Sequence, residues 1–110
     1  MVLFRRLLGE VLRGARMQRG MTLRELSAEA RVSLGYISEI ERGQKEASSE
    51  LLASLCQAMD LPLSDVLREV ADAVALEEAA IALEVASIEL SAIEVGNTGL
   101  RGPDVVASAA

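Results

Sequence analysis

Between Ser33 and Lys45 the chain sets out hydroxyls at Ser33, Tyr36 and Ser38, a carboxylate at Glu39 and an apolar tip at Leu34, followed by Arg42, Gln44 and Lys45. These side chains suit recognition better than catalysis. Short polar groups and a methyl-bearing tip can meet the edges of paired bases, while neighbouring cations and amides hold phosphates. The usual carriers of catalysis are missing. There is no histidine and no glycine-rich phosphate loop, and acid pairs such as Glu77 with Glu78 fall on an exposed helical pattern. We expect no enzymatic activity. The sole cysteine, Cys56, excludes an internal disulfide and a multi-cysteine zinc site, so no metal and no cofactor are expected, and a reducing cytoplasm is the natural compartment.

Two short amphipathic patterns on either side of a tight break must position these groups. Thr22 caps the first, with Glu25 as its capping-box partner, and Leu23, Leu26 and Ala30 share the inner face. Ser33 opens the second. There Ile37 and Ile40 point inward at helical spacing, which leaves Ser33, Leu34, Gly35, Ser38 and Glu39 for an outside surface. Gly43 stops this helix, since glycine enters positive φ at little cost.

Around this unit the pattern predicts three further helices. One runs from about residue 5 to Arg19, with Leu7, Leu8, Val11, Leu12 and Ala15 inward, Arg5, Arg6, Glu10, Arg13 and Arg19 outward, and Gly20 as its end. Another is capped by Ser48 or Ser49 and buries Leu52, Leu55, Cys56 and Met59. Pro62 breaks the chain, and Ser64 caps a fifth helix carrying Leu63, Val66, Leu67, Val70 and Val74.

Composition narrows the partner. Of 110 residues, 51% are hydrophobic, enough for one compact domain and an extension, whereas aromatics at 2% are too few to stack single-stranded bases. Charges interrupt the sequence too often for a membrane span, and no membrane partner is expected. The start, MVLFRRLLGEVLRGARM, is amphipathic but lacks the long apolar stretch and cleavage segment of a targeting sequence. A net charge of −6 argues against a polyanionic partner, yet it is unevenly spread. Residues 1–68 hold ten basic and nine acidic residues; residues 69–110 hold one arginine and eight acids. Repulsion therefore resides downstream, and at a screening length of about 8 Å it penalises contact only modestly if held away.

From about Ala75 to Val95 the chain is rich in alanine, glutamate and leucine, with Ile81, Val85, Ile88, Ala92 and Val95 on one helical face. Short period-two stretches leave strand as the alternative. The stripe needs a cover, either its twin on a second copy, giving a homodimer, or the chain's own domain. Gly96, Asn97, Gly99, Gly102 and Pro103 end regular structure, and the uncharged end Val105 to Ala110 resembles a degradation tag for Clp proteases, read through Ala109 and Ala110, unless it is simply a frayed terminus.

Residues 8–67 resemble the Cro/C1-type (XRE) helix-turn-helix family, on GARMQRGMTLRELS, VSLGYISEIERG and LLASLCQAMDLPLSDVL. The words RVSLGYISEIERGQKEASSELL are similar more particularly to the Clp protease gene regulators, activators of genes for ATP-dependent proteolysis and chaperones. The resemblance implies an all-α fold, a compact five-helix lambda-repressor-like DNA-binding domain over 1–70 with its helix-turn-helix at 22–43; the residues beyond it read as an acidic helical extension over 71–96, suited to dimerisation, and a flexible tail over 97–110. It also implies an ion pair between Arg16 and Glu41 that orients the reading helix without touching bases. Two positions depart from the family pattern: Ser27 occupies the place of the small residue expected in the first helix of the pair, and Arg31 stands where the turn usually holds glycine. Serine is still small enough for close packing. For the arginine, either the turn is reshaped or the cost of a left-handed side chain, about 1 kcal/mol, is tolerated.

Docked in this mode on double-stranded DNA, the base-edge candidates are Ser33, Leu34, Tyr36 and Glu39. Glu39 suits cytosine N4 or a neighbouring arginine, Leu34 a thymine methyl, and Ser33 or Tyr36 either base or phosphate. Thr22, Arg24, Arg42, Gln44 and Lys45 are the phosphate candidates, with Arg13, Arg19 and Arg31 peripheral. A symmetric dimer would place two such helices in successive major grooves, roughly 34 Å apart, and so require an inverted-repeat operator. RNA polymerase is a further candidate partner. The competing reading is a protein-interaction regulator, antitoxin-like or sigma-factor-binding, whose acidic extension grips a basic partner.

Overall fold

The computed structural model describes residues 2–96, with side chains from Leu3 through Ala92. Five helices follow in order: α1 (Val2–Gln18), α2 (Leu23–Ala30), α3 (Leu34–Glu41), α4 (Ser49–Ala58) and α5 (Leu63–Gly96), with no strand among the described residues. The proposed degradation tag and the tail from 97 onward lie outside this range, as does the side chain of Val95.

The capping chemistry accounts for most boundaries. Thr22 Oγ1 accepts the Glu25 amide at 3.0 Å while Glu25 Oε1 accepts the Thr22 amide at 2.8 Å, so α2 opens on a complete capping box. Ser33 Oγ accepts the Tyr36 amide at 3.1 Å, and Ser48 rather than Ser49 caps α4 through the Leu51 amide. Gly20 and Gly43 terminate α1 and α3 with φ of 65° and 75°.

Two expectations need correction. The first helix begins at Val2, three residues before the predicted start, because Val2, Leu3 and Phe4 oppose no helical geometry and precede the buried Leu7 and Leu8. Ser64 is not a cap: α5 starts at Leu63, and the Pro62 carbonyl accepts the Asp65 and Val66 amides, leaving Ser64 exposed within the first turn. Of the apolar residues early in this helix, Val66 and Val70 are fully buried and Leu67 is 44% exposed.

Residues through Ala75 form one compact unit. Leu8, Leu12, Ala15, Leu26, Ile37, Ile40, Leu52, Leu55, Cys56, Met59, Val66 and Val70 make its core, and no polar residue is buried with them among the described residues. Each large aliphatic side chain enclosed in this way stabilises the fold by about 1.5–3 kcal/mol. Gly9 permits the closest packing: a Cβ there would stand 2.4 Å from the Ile40 carbonyl oxygen and 2.6 Å from that of Glu41. The last turn of α3 therefore rests against bare α1 backbone. The second unit begins at Leu76. Its described part is the remainder of α5, a helix and not a strand, and every residue from Glu78 through Ala92 is exposed.

Candidate nucleic-acid interface

Ser33, Leu34, Gly35, Tyr36, Ser38, Glu39, Arg42 and Lys45 line one open hollow of about 620 Å³ along α3 and its exit. All four predicted base-reading residues are thus together. Leu34 is 38% exposed on the first turn, and a Cβ on Gly35 would meet nothing within 4 Å, so the backbone there is open to a close neighbour. Glu39 is partly exposed, and its carboxylate makes no internal hydrogen bond or ion pair among the described residues. It keeps its acceptor capacity for a ligand. Tyr36 is different. Its ring packs against the core, and its hydroxyl donates to the Glu46 carbonyl at 3.1 Å, tying α3 to the loop that follows.

The predicted phosphate residues divide into three groups. Arg42 and Lys45 border the hollow, and Arg42 is held by Ser38 Oγ and by Gln44 Oε1 at 3.3 Å, so Gln44 contributes by orienting a cation. Thr22 and Arg24 are exposed at the start of α2 and do not line the hollow. Thr22 spends its amide on Glu25 but keeps its hydroxyl proton to donate. Of the peripheral cations, Arg13 shares a smaller cleft with Leu23, Ser38 and Arg42. Arg19 donates through Nε to the Met59 carbonyl at the end of α4. Arg31 lies beside Glu29, Ser54 and Gln57, away from the α3 hollow.

A bidentate ion pair underlies this surface. Arg16 Nε meets Glu41 Oε2 at 2.8 Å and Arg16 Nη2 meets Glu41 Oε1 at 3.0 Å, while Arg16 Nη1 donates to the Met21 carbonyl at 2.9 Å. The side chains are only 12% and 6% exposed. The Glu41 hydrogen bond raises the Arg16 pKa above its ordinary value, against the opposing effect of burial. One guanidinium therefore ties α1 to the end of α3 and to the entrance of α2. Sequence reasoning missed Gly9, on the neighbouring approach; a glycine inside a helical pattern was the available signal, though Gly14 carries the same signal with open space around it.

A helix-turn-helix family model matches residues 12–66, half of the chain. The chain belongs to the XRE-type helix-turn-helix family. Within it, the chain is 60% identical over 76 residues to the transcriptional regulator ClgR of Mycobacterium tuberculosis, covering 69% of this chain and 68% of that protein. The crystal structure of the clp gene regulator ClgR from Corynebacterium glutamicum superposes with a TM-score of 0.68 at 46% identity, over 86% of this chain and 94% of that one. The restriction-modification controller protein C.AhdI from Aeromonas hydrophila shares the fold at 26% identity and a TM-score of 0.54, over 60% of this chain and 94% of its own. The chain is a transcriptional regulator of the ClgR type with a helix-turn-helix DNA-binding fold. Among the described residues no helix is long and apolar enough to cross a membrane.

Proposed function

We propose that the protein is an activator of Clp protease and chaperone genes that binds an inverted-repeat operator as a homodimer in the cytoplasm. The observation that carries this reading is the α3 hollow, where Ser33, Leu34, Tyr36 and Glu39 stand together beside Arg42 and Lys45. Glu39 accepts from a cytosine amine, Leu34 covers a thymine methyl, and Ser33 gives its free hydroxyl proton to a base or phosphate. Tyr36 sets the pose of the helix and offers its ring edge. Thr22, Arg24, Arg42, Gln44 and Lys45 secure the backbone of the duplex, supplying affinity without sequence information.

The gene class is carried over from the relatives, whose names associate them with clp genes. For the dimer, support comes from the exposed apolar stripe Ile81, Val85, Ile88 and Ala92, extended by Val95. Contact with RNA polymerase, and turnover by Clp proteases through Ala109 and Ala110, belong to the same proposal. Selection from a random duplex library tests it. The expected product is a palindrome with half-sites about ten base pairs apart. A library without an enriched palindrome, or a Ser33-to-Glu39 scramble that leaves promoter occupancy unchanged, would overturn it.

The acidity of residues 69–110 favours one other reading, a regulator that grips a basic protein and uses its helix-turn-helix as scaffold. Salt separates the two. A DNA reader loses affinity for its duplex steeply between 50 and 200 mM salt (about 10³-fold or more for six phosphate contacts), whereas a scaffold prefers no duplex sequence.

A further inference from the structure

We infer that Ser27 is a positioning residue for base reading: its hydroxyl holds the turn that carries Arg31 in left-handed backbone, and thereby fixes how α3 is presented. The inference rests on the DNA-reading role proposed above. Arg31 has φ 59° and ψ 44°, a conformation that an L-residue with a side chain disfavours and glycine enters freely. The turn is not reshaped around it; the left-handed geometry is retained.

Ser27 meets this turn three times. Its carbonyl accepts the Arg31 amide at 2.9 Å and the Val32 amide at 3.3 Å, which any residue could provide. Its Oγ also donates to the Val32 carbonyl at 2.6 Å in a part-buried setting, which only a hydroxyl here can do. The Val32 carbonyl belongs to the rigid peptide plane whose other end is the amide of Ser33. Ser33 is the N-cap of α3 and lines the reading hollow. Fixing that carbonyl therefore fixes the plane from which the reading helix starts. When the hydroxyl is removed, an arginine at position 31 is drawn toward its ordinary backbone regions and the start of α3 shifts; a glycine at this position has no such pull. Ser27 and Arg31 thereby compensate one another.

A mutant cycle on the full chain tests this, using two DNA probes: the duplex that the wild type enriches from a random library, and a random-sequence duplex. S27A is expected to weaken binding to the enriched duplex fivefold or more, with less than a twofold change on the random one, because phosphate contacts survive. In the R31G background the same substitution should cost less than twofold on the enriched duplex. In R31A, which removes the charge but keeps the backbone conflict, it should again cost fivefold or more. Equal losses in the wild-type and R31G backgrounds, or parallel losses on both duplexes, would overturn the inference. If S27A alone does not fold, recovery of folding and duplex affinity in S27A/R31G supports it, and failure of the double variant overturns it. A wild type that enriches no sequence would instead defeat the DNA-reading role itself.

Discussion

Through Ala75 the protein encloses a core of apolar side chains within its own chain; from Glu78 through Ala92 it encloses none. Both regions are amphipathic helix, so helical spacing alone does not decide which is self-sufficient. The difference lies in what each stripe meets. Leu26, Ile37, Leu55 and Val66 are each 1% exposed, whereas Leu76 and Leu83 are 74% and 73% exposed. The extension also lacks the aids of an isolated helix. No lysine or arginine lies between Arg68 and Arg101, and Glu89 stands toward the negative end of the helix dipole.

The largest effects should separate the two regions. Replacing Glu41 by alanine strands the largely buried Arg16 guanidinium, and a loss of about 3–5 kcal/mol in urea-unfolding free energy is expected. Val85→Glu should leave the urea midpoint of a dilute sample almost unchanged and instead reduce the mass seen in sedimentation. A Val85→Glu protein that unfolds like the Glu41 variant would erase the contrast between the regions.

The extension presents a second stripe that sequence reading did not single out. Leu76, Ala79, Leu83, Ala86 and Leu90 repeat at spacings of three and four, roughly opposite Ile81, Val85, Ile88 and Ala92 on the same helix. Comparing Leu83→Glu with Val85→Glu sharpens the proposed dimer. If Val85→Glu alone yields monomers, the Ile81 stripe is the seam; if only Leu83→Glu does so, the predicted dimer residues are replaced by the leucine stripe.

Within the compact unit, two glycines on one helix provide the next comparison. Gly9→Ala drives a methyl into the Ile40 and Glu41 carbonyls, which are backbone and cannot step aside, so a loss of about 1–3 kcal/mol and a lower melting temperature are expected. Gly14→Ala meets nothing within 4 Å and should stabilise α1 by about 0.5–1 kcal/mol. Thermal unfolding by circular dichroism reads both, and two changes of the same sign would refute the close approach of α1 to α3.

That pair also marks the limit of what the sequence discloses. Caps and stops were legible, because Thr22 with Glu25, Ser33, Gly20 and Gly43 act on atoms within a few residues of themselves. The α3 surface was legible for the same reason, since helical spacing separates Ile37 and Ile40 from Ser33, Leu34 and Glu39. The Arg16–Glu41 pair spans 25 positions and was reached through family resemblance, not through local chemistry. Gly9, the exposure of Leu67 and the tie from Tyr36 to Glu46 depend on which distant backbone lies opposite, and local pattern does not carry that information. Asp60, at φ 52°, is a left-handed helix end without the glycine that would announce one.

The smallest expected effect concerns Cys56, on the enclosed side of the comparison. The residue is 2% exposed, and burial pushes the pKa of its thiol up by disfavouring the thiolate. Two consequences can be measured. At neutral pH the native protein should resist alkylation by iodoacetamide and become reactive only on unfolding, because the nucleophile is the thiolate and it is both scarce and covered. Stability should also respond to alkali in a definite direction. A pKa raised in the folded state means that the unfolded chain gives up its proton first. Stability is therefore fully present below the ordinary thiol range, near about 8.5, and declines as pH climbs through it toward the folded value. Cys56→Ala should flatten that decline while lowering stability at every pH through the small cavity it leaves. Rapid alkylation of the native thiol would mean that this part of the core opens as readily as the extension, and the division between an enclosed region and an uncovered one would have to be redrawn.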